Sequence, residues 1–191
     1  MSSGIVGESS SFANDFQTSR NLFIPFIPFN SIMKISIKRG ISFGLTSGVI
    51  TTLGLIVGLD SSTNSKLAVL GGIFVIAIAD ALSDSLGMHL SVESEHNSTA
   101  HQIWESTFAT FFSKLVIALT FAIPVLLFSL GTAIIINIIW GLFLIAAFSW
   151  YIANKKGFQP LHAILEHVII TIVVITISYF VGKLVAVIAG A

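Results

Sequence analysis

The sequence contains no cysteine. Disulfides, thiolate metal sites and cysteine nucleophiles are therefore excluded. Charge is scarce as well: 9% of the 191 residues are Asp, Glu, Lys or Arg, where a soluble domain carries about a quarter. Nine basic and nine acidic residues cancel, which removes the electrostatic footprint of a nucleic-acid binder. There is no glycine-rich phosphate loop, no H-E-x-x-H site and no strand-to-helix nucleophile elbow. Neither an enzyme nor a resident cofactor is indicated.

What is present is hydrophobic. Apolar residues make up 54% of the chain, and the mean hydropathy is +0.96. This composition is that of an integral membrane protein. A spanning helix needs roughly 20 apolar residues. Five stretches meet or approach that length, at about 41–59, 67–92, 107–128, 132–152 and 161–188. The expected fold is an all-α membrane domain over 40–191 with five transmembrane helices. Residues 1–19 are polar and Ser-rich, without the basic start and apolar run of a signal peptide, and read as a disordered cytosolic tail. Residues 20–39 carry Pro25 and Pro28, aromatic residues, then Lys34, Lys38 and Arg39. They read either as an amphipathic segment on the membrane surface or as a short linker.

Basic residues set the orientation. With the N-terminus in the cytosol, the inside receives Arg20, Lys34, Lys38, Arg39, Lys114, Lys155 and Lys156, and the outside only Lys66 and Lys183. The expectation is N-inside and C-outside.

The chemistry concentrates in the second helix. Residues 71–95 read GGIFVIAIADALSDSLGMHLSVESE. At about 3.6 residues per turn, Asp80, Asp84, Met88, Ser91 and Glu95 share one face. A carboxylate in hydrocarbon costs roughly 2.5 kcal/mol or more, and intramembrane acids mark ion or proton pathways. Two acids one turn apart repel, which favours a bound proton or a bound cation. The alternative is a structural ion pair with another helix, for which Lys114 is the obvious partner. Met88 fits a ligand stripe, and equally the gap-filling role of methionine.

The polar stretch 91–106 holds Glu93, Glu95, His96, His101 and Glu105. Glu and His together suit borderline divalent cations, although a solvated turn explains the same composition. In the first helix, Gly40, Gly44 and Gly48 fall at the spacing that lets helices approach closely in lipid. Ser47 and nearby threonines either line a polar path or bond back to their own helix. Pro124 should kink the third helix or free a carbonyl. The Asn137 amide should bond across to a neighbour. His162 and Glu166, one turn apart, suit interfacial residues at the start of the fifth span, or a metal at its mouth.

Helix one, RGISFGLTSGVITTLGLIVGL, resembles the first helix of the vacuolar iron transporter family. ADALSDSLGMHLSVESE resembles that family's second helix, Pro124 falls at its helix-three proline, and ISYFVGKL resembles its closing segment. The resemblance spans about 39–188. It implies a homodimer that moves Fe²⁺, and often Mn²⁺, out of the cytosol against protons, along a path between the first and second helices of the two protomers. Glu95 matches the family glutamate at the cytosolic end. Elsewhere the pattern departs. Ser47 stands at the family aspartate, Asp84 at its methionine ligand and Asp80 at a glycine, and the long Glu-rich cytosolic domain is missing. The expected metal contacts are Asp80 and Asp84, from the acidic stripe of helix two, and Glu95, which matches the family, with Ser47, Met88, His96 and Glu105 as helpers. The cargo that the resemblance implies is Fe²⁺ or Mn²⁺, and the expected partners are a second copy, the lipid bilayer and protons. The short loops and small size suggest a prokaryotic cell membrane. Two other readings stand beside it: a proton-coupled transporter of another solute, and a non-transporting dimeric scaffold or metal-binding protein.

Overall fold

The computed structural model describes residues 29–156 and 159–190, and every regular element among them is helical. The elements are α1 (Phe29–Thr63), α2 (Lys66–Glu93), α3 (Ala100–Thr120), α4 (Ala122–Leu127), α5 (Leu130–Lys156) and α6 (Pro160–Ala189). Among the described residues, five helical stretches are long and apolar enough to cross a membrane: Ile35–Thr63, Lys66–Glu93, Ala100–Leu127, Leu130–Lys155 and Pro160–Ala189. The protein is an all-α integral membrane protein. The chain divides into Met1–Ile32 and Met33–Ala191, and the bundle belongs to the second unit. The expected tail at 1–19, and the expected surface segment as far as residue 28, lie outside the described residues. Residues 29–39 are helical and belong to α1.

Two differences from the sequence reading have local reasons. The third span begins at Ala100, not near 107. Thr99 is its N-cap, and a reciprocal capping box joins Thr99 to Gln102. Two of the orphan N–H groups are thereby satisfied, so a polar sequence starts a helix instead of continuing a loop. The connection between α2 and α3 is therefore only 94–99, and His101 and Glu105 stand on a helix. Lys114 accordingly lies near the middle of its span, not near the cytosolic start.

The second difference is a break that the sequence does foreshadow. The third span divides at Phe121 into α3 and α4, three residues before Pro124. Proline has no N–H and clashes with the carbonyl four residues back. Asn137 on α5 donates its amide N–H to the Phe121 carbonyl at 3.1 Å and so braces the break. Lys66 donates to the carbonyls of Leu126 and Phe128, at 3.3 and 3.0 Å, and so closes the end of α4.

α1 is the central helix. A β-carbon at Gly44 would stand 2.6 Å from the Thr110 carbonyl oxygen on α3, and one at Gly48 would stand 3.3 Å from Lys114 Cγ. Farther along, Gly54 faces Val174 and Ser178 of α6, while Leu53 and Leu55 press on Gly141 of α5 and Gly72 of α2. Small residues thus let α1 touch all four other spans at backbone distance. Its core residues Val49, Leu53, Ile56 and Val57 pack with Ile73, Phe121 and Ile145.

Candidate functional site: a charged cluster at mid-span

Three helices meet at one ammonium group. Lys114 on α3 is 1% exposed. Its Nζ lies 2.5 Å from Asp80 Oδ2 and pairs with Asp84 Oδ2, both on α2. It also donates to Ser47 Oγ on α1 at 2.9 Å. Ser47 in turn donates its hydroxyl to Asp84 Oδ2 at 2.6 Å. Every one of these residues lies near the middle of its span. The cluster forms because helical spacing places Asp80 and Asp84 on one edge of α2. Gly48 then leaves room on α1 for the stem of Lys114.

The two acids are not equivalent. Asp84 accepts from both Ser47 and Lys114. Asp80 is close to the ammonium, but its Oδ2 has no partner at hydrogen-bonding geometry. Charge alone holds it there. Its side chain is also the more exposed, at 28% against 21%. Two carboxylates face one ammonium, so the cluster as a whole has an excess of one acidic group.

The other residues singled out from the sequence are elsewhere. Met88 is buried on α2 without a polar contact of its own. α2 ends at Glu93, so Glu95 leaves the helical stripe and pairs with Arg39 of α1 at the end of the bundle, both side chains half-exposed. His96 is exposed in the connection. Glu105 Oε1 lies 3.4 Å from His101 Nδ1, one turn earlier on α3. His162 and Glu166 are exposed near the start of α6. Among the described residues, no three His, Asp or Glu side chains converge on a point that could hold a metal ion. The structure brings Ser47, Asp80 and Asp84 together, and leaves Glu95, His96 and Glu105 apart from them.

Sequence reasoning named Lys114 as a partner but not as the hub. Its position inside the apolar run FATFFSKLVIAL was the available signal. Two histidine contacts were missed altogether. His89 Nδ1 lies 3.1 Å from Thr107 Oγ1, and that hydroxyl already donates to the Ile103 carbonyl at 2.7 Å. A hydroxyl has one proton, so His89 Nδ1 is the donor and its Nε2 is left as the acceptor or the second protonation site. His167 stands in the same relation to Ser149, whose hydroxyl donates to the Ile145 carbonyl. Neither contact has a local sequence signature. No family model and no curated protein matches the chain.

Proposed function

We propose that this protein is a membrane transporter that moves a cation out of the cytosol in exchange for protons, with Asp80 and Asp84 as the groups that meet the ion. The supporting observation is the composition of the cluster: two intramembrane carboxylates share one tethered ammonium. Charges at this depth are costly unless they are paired. One positive charge is needed to complete the cluster, and a proton or a cargo cation supplies it. A divalent cargo such as Fe²⁺ or Mn²⁺, the class implied by the resemblance, competes with the Lys114 ammonium for the same oxygens. Asp80 is the arm that yields first, because it lacks the hydrogen bonds that hold Asp84. Lys114 is then a resident counter-ion that keeps the acids paired between cargoes.

The same reading places the N-terminus in the cytosol. Lys114 leaves the count of cytosolic charges, but Arg20, Lys34, Lys38, Arg39, Lys155 and Lys156 still outnumber Lys66 and Lys183. A second copy of the chain facing Asp80 would shield partly exposed acids from lipid, which supports a homodimer with the site near its interface.

Flux through proteoliposomes tests the proposal. Mn²⁺ movement driven by a pH gradient should occur with wild type and vanish in Asp80→Asn/Asp84→Asn. Unchanged flux in the double variant would remove both acids from the path. One observation favours a second reading: Lys114 is fully buried and touches both acids, as a purely structural tie would require. On that reading the protein is a scaffold, and no cation crosses in the wild type.

A further inference from the structure

A groove of about 1010 Å³ runs along the surface between α1 and α3. Ile37, Ile41 and Leu45 form one wall, and Trp104, Phe108 and Phe112 the other. The rings of Trp104 and Phe108 stack at 5.5 Å, and those of Phe108 and Phe112 at 6.5 Å. All three rings are more than half-exposed. In a bilayer, such a surface meets acyl chains.

One polar feature interrupts it. Glu105 lines the groove less than two turns from the start of α3, beside Trp104. Its side chain is only 13% exposed. Oε1 faces His101, while Oε2 is buried without a hydrogen-bond partner. A carboxylate oxygen in apolar surroundings demands a donor, and a positively charged one is best. The depth is that of a headgroup boundary, where tryptophan is also at home. Below Glu105 the groove continues to Ile117, a rise of roughly 18 Å along the helix, against about 15 Å for half of the hydrocarbon core. Its length matches one acyl chain in one leaflet.

We infer that this groove binds a phospholipid with a primary ammonium headgroup, phosphatidylethanolamine. The ammonium donates to the Glu105 carboxylate, which turns about its last side-chain bond to bring Oε2 to the groove, and an acyl chain lies along Phe108 and Phe112. Phosphatidylcholine has no N–H to donate, and phosphatidylglycerol has a negative headgroup that Glu105 repels. The inference requires only that α3 cross a bilayer, so it stands or falls separately from cation transport.

Native mass spectrometry of the full chain, with the three lipids of identical acyl chains at equal concentration, tests it. Wild type should retain phosphatidylethanolamine about tenfold better than either competitor, the difference expected for one charge-assisted hydrogen bond. Glu105→Gln should reduce that preference to near unity. Phe112→Ala should weaken retention of all three lipids and keep their order. Equal retention by wild type, or preference for phosphatidylglycerol, overturns the inference without recourse to any variant. A preference that survives Glu105→Gln overturns it too.

Discussion

α1 and α6 are both long, apolar and built for a bilayer, yet they have opposite places in the molecule. Half of the apolar window of α1 is buried inside the chain, against 11% for α6. The buried helix is the less hydrophobic of the two. A soluble protein sorts its residues the other way. In lipid, greasy side chains have no reason to leave the surface, and close packing decides which helix goes to the centre. α1 goes there because glycines and hydroxyls line it from Gly40 to Gly58. α6 presents Ile, Val and Phe to the outside, and among its residues only Thr171 and Gly182 are fully buried. The central helix is also the one that can receive charge, because Gly48 opens the space that Lys114 fills.

The most severe way to break this comparison is to empty that space. Lys114→Ala leaves Asp80 and Asp84 in mid-span without their counter-ion. Removing one partner of a buried ion pair costs about 3–5 kcal/mol. Chemical or thermal unfolding in detergent should show a loss of that size. A loss under about 1 kcal/mol would mean that water or another group already neutralises the acids, and that the centre of the bundle is wetter than its packing implies.

A smaller effect tests packing alone. Gly44→Ala puts a methyl group 2.6 Å from the Thr110 carbonyl oxygen, which belongs to backbone and cannot turn aside. The expected destabilisation is about 1–3 kcal/mol. Gly71 is the matched control, because a β-carbon there meets nothing within 4 Å. Gly71→Ala should be neutral or stabilise by up to about 1 kcal/mol through helix propensity. If the two substitutions have equal effects, the glycines of α1 are not there for contact.

Much of this was legible in the sequence. The five spans follow from length and hydropathy, and glycine spacing marks α1 as a packing helix. Pro124 announces the break at Phe121, and a lone Asn137 in an apolar run announces a cross-helix bond. The depth of Lys114 was misplaced because AHQIWES reads as a loop by composition, while the capping box Thr99–Gln102 that starts the helix consists of only two residues. The pairing of Arg39 with Glu95 joins positions that only the folded bundle brings together, and no local pattern encodes it. The acids themselves were plain, but their partner geometry was not. A helical wheel shows that Asp80 and Asp84 share an edge; it does not show that Ser47 and Lys114 hold one of them more firmly than the other.

The mildest prediction concerns the other pole of the comparison. Ile169 on α6 is 57% exposed and stands two and a half turns before Ser178, half-way round the helix from the side that meets Gly54 and Gly58. If that face meets only lipid, Ile169→Ala exchanges one apolar surface for another. Stability should then change by less than about 0.5 kcal/mol, as for other substitutions remote from packed contacts. Unfolding measured over a tenfold range of protein-to-detergent ratio checks this. A loss above about 1 kcal/mol that grows on dilution would mean that α6 packs against a second copy. The dimer interface would then lie on α6, and Asp80 would face lipid or water instead of a partner. A small, dilution-independent change leaves the Asp80 side of α2 as the surface to be covered.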